Sequence, residues 1–334
     1  MSTKGAFVIS LDLELYWGMF DKVTLEAYGE NIRGAHSAVP AMLRLFAQYD
    51  IHATWAAVGM LMAQNKEELY DLCPPPSLQP NYEDMRVSSY EHMRTSPLGK
   101  DETDDAYHYG ASLIAQILAA PHQELGSHTF SHYYTLDGGK NGEAVFAADC
   151  EAFNHAAARF GVPVTSIVFP RNQASEEALR ISKAHGITAY RGTPSHILYT
   201  GKKEKDQINP LWRILRLIDA YMNISGHHAY PLSRVREPIL ANVVGSRFLR
   251  PYSRRLRFFE PLRIARIKHS MTYAAKRGEV FHLWWHPHNF GINRKENLRN
   301  LAEILEHFSS LREEYGMESA NMREVAIRAN GSPA

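Results

Sequence analysis

The chain has 334 residues, 45% of them hydrophobic and 22% charged, which is typical of a soluble globular protein with a sizeable core. The formal net charge of +1 gives no general electrostatic attraction to nucleic acid or membranes. Cys73 and Cys150 are too few for a disulfide framework, and the first apolar run is too short for a signal peptide or a membrane span. We therefore expect a cytoplasmic protein.

In chain order, short apolar runs alternate with segments of helical spacing. Buried strands are predicted in GAFVISLDLE, IHATWAAVGML, HQELGSH, VTSIVFPRN, ITAYRG and EVFHLWWHPHN. Helices are predicted between them, for example over residues 35–49 and in SEEALRISKAHG, which begins at a Ser N-cap and stops at a Gly. This alternation favours an α/β protein with a parallel sheet or barrel, and we interpret residues 1–334 as one domain.

Residues 73–109 interrupt this pattern with a stretch rich in Pro, Ser, Asp and Glu. A loop of this length inside a domain is usually functional or mobile. We expect an inserted loop that shapes the substrate pocket.

Reactive side chains follow the carboxyl ends of four predicted strands. They are Asp12 and Glu14, His128 and His132, Arg171 and Asn172, and His286 and His288. In a barrel of parallel strands these ends form one face, where catalytic groups gather. The sequence therefore predicts a single site built from four segments.

The histidine pair indicates a metal. On one helical turn, His128 and His132 would point at the same ion, and catalytic zinc takes three His or carboxylate ligands with one position open for water. The third ligand would be Asp12 or Glu14, and the other carboxylate would act as base. Because zinc lowers the pKa of bound water and polarises a carbonyl, hydrolysis is the expected chemistry. A histidine across the rim would protonate a leaving amine.

These motifs resemble those of the polysaccharide deacetylases, the carbohydrate esterase family with the NodB homology domain. The resemblance rests on SLDLE, ATWAAVG, GSHTFSH, FPRN and FHLWWHPH, which follow in this order between residue 7 and about residue 290. GSHTFSH is the most specific of them, since it matches the family pattern H-[ST]-x-x-H at every position.

The resemblance implies a deformed (β/α)7 barrel, with about seven β/α units, and metal-dependent removal of an N-acyl group from a sugar. By position, Asp12 is similar to the catalytic base, and His128 and His132 are similar to the metal ligands. Arg171 is similar to the arginine that pairs with the base, and His286 to the general acid. Zinc, or another divalent transition metal, is the implied cofactor.

The chain departs from the family pattern in two places. Leu13 separates two acids where the family has adjacent aspartates, but alternate residues of a strand still share one face. We predict Glu14 as the metal ligand and Asp12 as the base, and the sequence also allows these two roles to be exchanged. The arginine motif reads PRNQ rather than R-x-P. Candidate substrate contacts are Trp17, Asn172, Trp285 and His288.

Residues 246–277 hold ten Lys and Arg against a single acid, Glu260, interleaved with Phe, Leu and Ile. A basic amphipathic stretch of this kind can lie on an anionic membrane or bind a phosphate-carrying substrate. It can equally be a solvated helical face. No nucleic-acid recognition motif accompanies the charge, and no nucleic-acid partner is expected.

We therefore predict a metal-dependent carbohydrate N-deacetylase. Its substrate would be an N-acetylated or N-formylated sugar, carried on a nucleotide or a lipid as an intermediate of surface polysaccharide biosynthesis. The expected location is cytoplasmic, with peripheral contact at the inner face of the membrane. Two alternatives are a cyclic-ureide amidohydrolase on the same fold and a non-catalytic glycan-binding protein.

Overall fold

In the described part of the chain, nine strands form one curled sheet at the centre of the protein. The structure is a computed structural model and describes residues 4–139, 141–199 and 210–331. The strands are β1 (Ala6–Leu13), β2 (Ala53–Ala57), β3 (Gln123–Ser127), β4 (Ser166–Ile167), β5 (Ala189–Tyr190), β6 (Ala241–Asn242), β7 (Arg247–Phe248), β8 (Val280–Trp285) and β9 (Glu318–Ser319). Every pairing between these strands is parallel, in the order β6-β5-β4-β3-β2-β1-β8-β7, with β9 beside the start of β1. The predicted α/β barrel of parallel strands is confirmed.

Helices connect and cover the strands. They are α1 (Leu25–Tyr49), α2 (Lys66–Leu72), α3 (Ser89–Thr95), α4 (Ala111–Ala119), α5 (Gly142–Ala158), α6 (Glu176–Ala184), α7 (Pro210–Asp219), α8 (Leu232–Val235), α9 (Glu260–Arg277), α10 (Arg294–Tyr315) and α11 (Met322–Ala329). None of the helices in the described ranges is both long and apolar enough to cross a bilayer.

Helix α1 shows how the helices hold the sheet. It begins at Thr24, whose hydroxyl accepts a hydrogen bond from the Ala27 N–H, and ends where Asp50 adopts a left-handed φ of 54°. On its buried face, the Phe46 ring lies 6.0 Å from Trp55 of β2 and 6.4 Å from Trp285 of β8. The helix therefore packs against the strands on both sides of β1.

The segment 73–109 is more ordered than its composition predicted. It contains α3 and two short 3-10 helices, Pro76–Leu78 and Met85–Val87. Tyr90 and Tyr109 are buried in the main core, and this burial compensates the entropy of ordering the chain. Its Ser and Asp residues serve as helix caps, as Asp84 and Ser88 do. The predicted inserted loop thus contains short helices, and its role in shaping the substrate pocket stays a prediction.

The segment 246–277 does not form a single exposed basic face. It comprises β7, a 3-10 helix over Arg254–Phe259, and α9. Arg263 and Arg266 of α9 are buried, and Arg263 pairs with Glu260. Arg247 is also buried and pairs with Asp219 at 3.1 Å. The exposed positive charge is confined to residues 254–257 and the outer side of α9.

Candidate active site

Strand β1 places two carboxylates at the centre of the site. Because side chains alternate along a strand, Asp12 and Glu14 face the same side while Leu13 turns into the core. Both carboxylates are buried, and the chain turns after Glu14 at Leu15, whose φ is 46°. Parallel pairing with β2 and β8 fixes this strand from both sides.

The histidine pair lies in a loop, not on the helical turn that the spacing suggested. The loop follows β3, and Thr129 and His132 adopt left-handed φ values of 63° and 54°. Asp149 of α5 fixes it by accepting hydrogen bonds from the N–H groups of Phe130 at 2.7 Å and Ser131 at 3.0 Å. The loop geometry therefore depends on one buried carboxylate from the following helix.

Glu14, His128 and His132 form a buried group suited to a metal ion. The Glu14 Oε2 atom lies 3.5 Å from His128 Nε2 and 3.3 Å from His132 Nε2. Ligand bonds of ~2.1 Å in a tetrahedral site place two ligand atoms about 3.4 Å apart, so these separations fit zinc.

The histidines are also in the state that a metal requires. The His128 Nδ1 atom donates to the Val168 carbonyl at 2.7 Å, which leaves Nε2 as a lone-pair donor toward Glu14. Burial lowers the pKa of His132 to about 4, so its imidazole is neutral at physiological pH. Two histidines and one carboxylate are the donor set of a catalytic zinc site.

A second group of potential ligands, Asp50, His52 and His122, lies among the described residues. It is at the amino ends of β2 and β3, away from the carboxylates of β1, and Asp50 and His122 are exposed. Exposed groups of this kind are common on protein surfaces, and the cluster serves below as a control for metal binding.

Asp12 is paired with an arginine that the sequence reasoning missed. Arg191, the residue after β5, donates from Nη1 at 2.6 Å and Nη2 at 2.7 Å to the two carboxylate oxygens. The prediction assigned this place to Arg171 and is corrected here. The available signal was position, because Arg191 follows an apolar strand in ITAYRG just as the predicted site residues follow theirs.

A chain of hydrogen bonds holds Arg191 from behind. Its Nη1 also donates to the Ser10 hydroxyl at 3.0 Å, and Ser10 lies 2.8 Å from His282 Nε2. Since His282 Nδ1 donates to the Val243 carbonyl at 3.0 Å, its Nε2 accepts from Ser10. Burial lowers the pKa of His282 to about 3, which keeps this ring neutral. The chain orients Arg191 toward Asp12.

Both carboxylates are ionised despite their burial. Burial alone would raise the pKa of Asp12, but the charge and hydrogen bonds of Arg191 hold it below its ordinary value. For Glu14, burial is likewise outweighed, first by the charge of His286 and then by the nearby rings of His128 and His132, so its pKa lies well below the ordinary value. The centre therefore holds two carboxylates with different partners.

Arg171 belongs to a neighbouring cluster. Its guanidinium lies 3.1 Å from Asp21 Oδ2 and stacks 3.9 Å over the Tyr134 ring. That ring in turn lies edge-on to His132, 5.2 Å between centroids. Arg171 thus supports the wall beside the histidine loop.

His286 faces both carboxylates. Its Nε2 atom is 3.7 Å from Asp12 Oδ2 and 3.7 Å from Glu14 Oε1, and its side chain is 23% exposed. His288 is buried behind it, with the two rings stacked at 5.1 Å. His286 is therefore the histidine of β8 that can exchange protons with a bound molecule.

Two of the predicted substrate contacts are wrong. Trp17 is fully buried and donates from Nε1 to the His108 carbonyl at 2.7 Å, and Trp285 is fully buried against α1. Alternation along β8 explains the second error, because a strand that turns His282 and His286 toward the site also turns Trp284 there. Trp284 stacks on Arg191 at 4.1 Å.

A cavity of about 700 Å³ opens beside Asp12 and Arg191. Asn172 and Trp284 line it, so Asn172 keeps its place as a candidate contact, whereas His288 is buried and does not line the cavity. Six arginines line the cavity: Arg171, Arg191, Arg213, Arg216, Arg247 and Arg250.

Comparisons with known proteins agree with this architecture. A family model described as polysaccharide deacetylase matches residues 19–190, which is 172 of the 334 residues and includes the histidine pair. A search of curated proteins found no match.

Three solved structures share the fold. A putative polysaccharide deacetylase from Mycobacterium smegmatis has 13% identity and a TM-score of 0.58, over 99% of this chain and 93% of that chain. Puue allantoinase has 11% identity and a TM-score of 0.54, over 98% and 92%. A probable polysaccharide deacetylase from Pseudomonas aeruginosa PAO1 has 10% identity and a TM-score of 0.51, over 97% and 90%. Identities this low show a common fold alone.

Proposed function

This chain belongs to the polysaccharide deacetylase family, and on that basis we propose that it is a metal-dependent hydrolase that removes an N-acyl group, acetyl or formyl, from a sugar. The observation that carries the proposal is the buried group of Glu14, His128 and His132, spaced for a tetrahedral metal. Asp12 and His286 lie within contact distance of each other beside it.

The proposed ligands are Glu14, His128 and His132, and the proposed ion is zinc or another divalent transition metal. Glu14 is favoured over Asp12 as ligand because both oxygens of Asp12 already accept from Arg191. When bound, such an ion lowers the pKa of water and polarises the acyl carbonyl.

The remaining side chains supply proton transfer. Asp12 is positioned to take a proton from the attacking water, and Arg191 keeps this carboxylate ionised and oriented. His286, facing the same space from β8, protonates the departing sugar amine. Without that proton the amine would leave as an unstable anion.

The proposed substrate is an N-acylated sugar carried on a nucleotide or a lipid, as an intermediate of surface polysaccharide biosynthesis in the cytoplasm at the inner face of the membrane. The six arginines of the neighbouring cavity support a substrate that carries phosphate, because guanidinium groups bind phosphate oxygens in pairs. The volume of about 700 Å³ is within the usual range of small-molecule sites.

The test is the metal content of purified protein, measured for wild type, His128→Ala, His132→Ala and the surface control His122→Ala. We expect about one metal per chain in wild type and in the control, and loss of metal in the two site variants. Release of acetate or formate from N-acylated nucleotide sugars and lipid-linked sugars should disappear with the metal. Metal-free wild type that stays inactive after zinc addition would exclude the proposal.

The same assay separates the alternatives. Acid release from sugars argues for deacylation, whereas ring opening of a cyclic ureide, with no acid released from sugars, identifies a ureide hydrolase. Binding of glycan without any turnover identifies a non-catalytic protein.

A further inference from the structure

Most of the large apolar side chains that are exposed lie on one side of the molecule. Apart from Tyr70, Leu136 and Ile197, the exposed large apolar side chains belong to two segments, residues 211–224 and residues 258–262. Leu211, Ile214, Ile218, Met222 and Ile224 lie on the first, and Phe258, Phe259 and Leu262 on the second. The rings of Tyr221 and Phe259 are 6.2 Å apart, so the two segments form one surface, called here the apolar face.

The apolar face has the periodicity of a buried helix, yet it is exposed. Ile214, Ile218 and Met222 recur at a spacing of four residues on α7 and the turn after it. Met222 is 62% exposed and Phe258 is 78% exposed. An exposed apolar surface of this extent on a single chain indicates an interaction site.

Within these two segments the exposed charges have one sign. Arg213, Arg254, Arg255 and Arg257 are exposed, whereas the two acids of residues 211–224 and 251–262 are not available. Asp219 is fully buried and paired with Arg247, and Glu260 is buried and paired with Arg263. Exposed apolar side chains with arginines beside them are complementary to a surface of anionic lipid headgroups over acyl chains.

The arginine-lined cavity opens at the edge of this face. Arg213 and Ile214 of α7 form its outer wall, and Arg191 and Trp284 form its inner end beside Asp12. Arg250 stands between these ends, and burial lowers its pKa, as do the nearby charges of Arg263 and Arg213. A cluster of cations in a half-enclosed space is stabilised by a bound anion.

We propose that the sugar substrate reaches the site as a phosphate ester of a membrane lipid, with the phosphate bound by Arg213 and Arg250 and the apolar face lying on the anionic bilayer that carries the lipid. The inference rests on the proposed function and narrows its substrate from a nucleotide- or lipid-linked sugar to a lipid-linked one. A nucleotide carrier would need the cavity but would leave the apolar face without a role.

The first experiment tests the bilayer contact and needs no activity. Wild-type protein is sedimented with vesicles of phosphatidylcholine, with and without phosphatidylglycerol, at low and high salt. We expect binding to the anionic vesicles, weakened by salt, and a loss of about tenfold or more in the double variant Met222→Ser/Phe258→Ser. The control Tyr70→Ser removes an aromatic side chain of 44% exposure from α2 and should bind as wild type does. Absence of wild-type binding, or equal binding by the double variant, overturns the proposal.

The second experiment tests the cavity with inorganic pyrophosphate as probe, measured by calorimetry. Binding to wild type and to Arg44→Gln, an exposed arginine of α1, should be equal. Binding to Arg213→Gln/Arg250→Gln should fall by about tenfold or more, since two charge-assisted contacts are removed. Pyrophosphate binding that is absent, or indifferent to the double substitution, contradicts the phosphate site.

The third experiment compares one N-acyl sugar as the free sugar, as a nucleotide diphosphate ester and as a polyprenyl phosphate ester. We expect the highest kcat/KM for the lipid-linked form, and a raised KM with little change in kcat in Arg213→Gln/Arg250→Gln. Preference for the nucleotide-linked or free sugar overturns this inference while the deacylase function stands. If the proposed deacylase function itself is wrong, no form of the sugar will release acid, although the protein still binds vesicles.

Discussion

The candidate active site and the apolar face differ in how their charges are paired. At the centre, Asp12 accepts two hydrogen bonds from Arg191, which is held in turn by Ser10 and through it by the neutral ring of His282. On the apolar face, exposed arginines lie beside exposed apolar side chains, and the two acids of these segments, Asp219 and Glu260, are buried in other pairs. Charges that are paired within the chain orient groups for chemistry, whereas exposed charges beside apolar side chains are suited to a partner from outside the chain.

The largest loss of activity and stability is expected from removing the ion pair between Arg191 and Asp12. Arg191→Gln removes the only charge that pairs with Asp12 at hydrogen-bond distance among the described residues. We expect kcat/KM to fall by ~10²–10⁴-fold and the free energy of unfolding by ~3–5 kcal/mol, because a buried carboxylate loses its partner. Steady-state kinetics and urea unfolding measure the two effects.

Arg171→Gln is the matched control, because Arg171 pairs with Asp21 rather than Asp12. Its loss should cost less activity than the loss of Arg191. Equal losses, or a larger loss at position 171, would contradict the assignment of Arg191 as the partner of Asp12.

The next effect is expected at His286, the partly exposed member of the centre. His286→Gln should lower kcat for an N-acyl sugar by ~10²–10³-fold, because the amine must be protonated as it leaves. An acyl ester with a phenolate leaving group needs no such proton and should be affected much less. If both substrates lose activity equally, His286 acts by position and not as the acid.

A smaller effect is expected from pH, through the segment 73–109, whose His92 and His108 contact the Trp17 ring close to Glu14. His92 of α3 lies 2.9 Å from His108, which lies 2.8 Å from Asp105. Burial, with the charge of His108, lowers the pKa of His92 from 6.5 to about 4. Between these values the unfolded chain binds a proton that the folded chain excludes, so stability is present above pH 6.5 and is lost as the pH falls toward 4.

We expect acidification from pH 7 to pH 5 to cost about 1 kcal/mol through His92, after allowance for its partial exposure. The pH dependence of the urea midpoint should therefore be weaker in His92→Gln than in wild type. His122→Gln, at an exposed histidine, should keep the wild-type dependence. Identical slopes in all three proteins would show that His92 does not titrate in this range.

The smallest effect on stability is expected from a substitution on the apolar face. Phe258→Ser should change the free energy of unfolding by no more than about 0.5 kcal/mol, since the side chain is 78% exposed. The same substitution should weaken binding to anionic vesicles, measured by sedimentation. A large loss of stability would show that Phe258 packs within the chain. It would then contradict the description of the apolar face as exposed.

Sequence reasoning located the site where the information was local. The alternation along SLDLE was enough to place Asp12 and Glu14 on one face, and the apolar strands were enough to bring four segments to one rim. The same alternation could have selected Trp284 over Trp285, because His286 and Trp284 are two residues apart on β8. That error came from an incomplete use of the pattern.

The partner of Asp12 was harder to predict because it depends on tertiary geometry. Arg171 and Arg191 both follow short strands, and only the curvature of the sheet decides which guanidinium reaches β1. The burial of Arg266 was hidden for a related reason, because its acceptors, Asn223 and Gly226, come from another segment. Patterns within one segment carry no information on such contacts.

The spacing of polar residues on β1 also sets what changes the gene can tolerate. Ser10 and Asp12 lie on alternate positions of β1, and Glu14 continues this alternation just after the strand. A single inserted or deleted codon near the start of β1 would therefore turn all three side chains to the opposite face of the sheet. Ile9 and Leu11 would then face the site, and the two acids would face the core. A change of length within β1 would therefore dismantle the site, whereas a change of length in a connection such as residues 73–109 leaves the register of β1 unchanged.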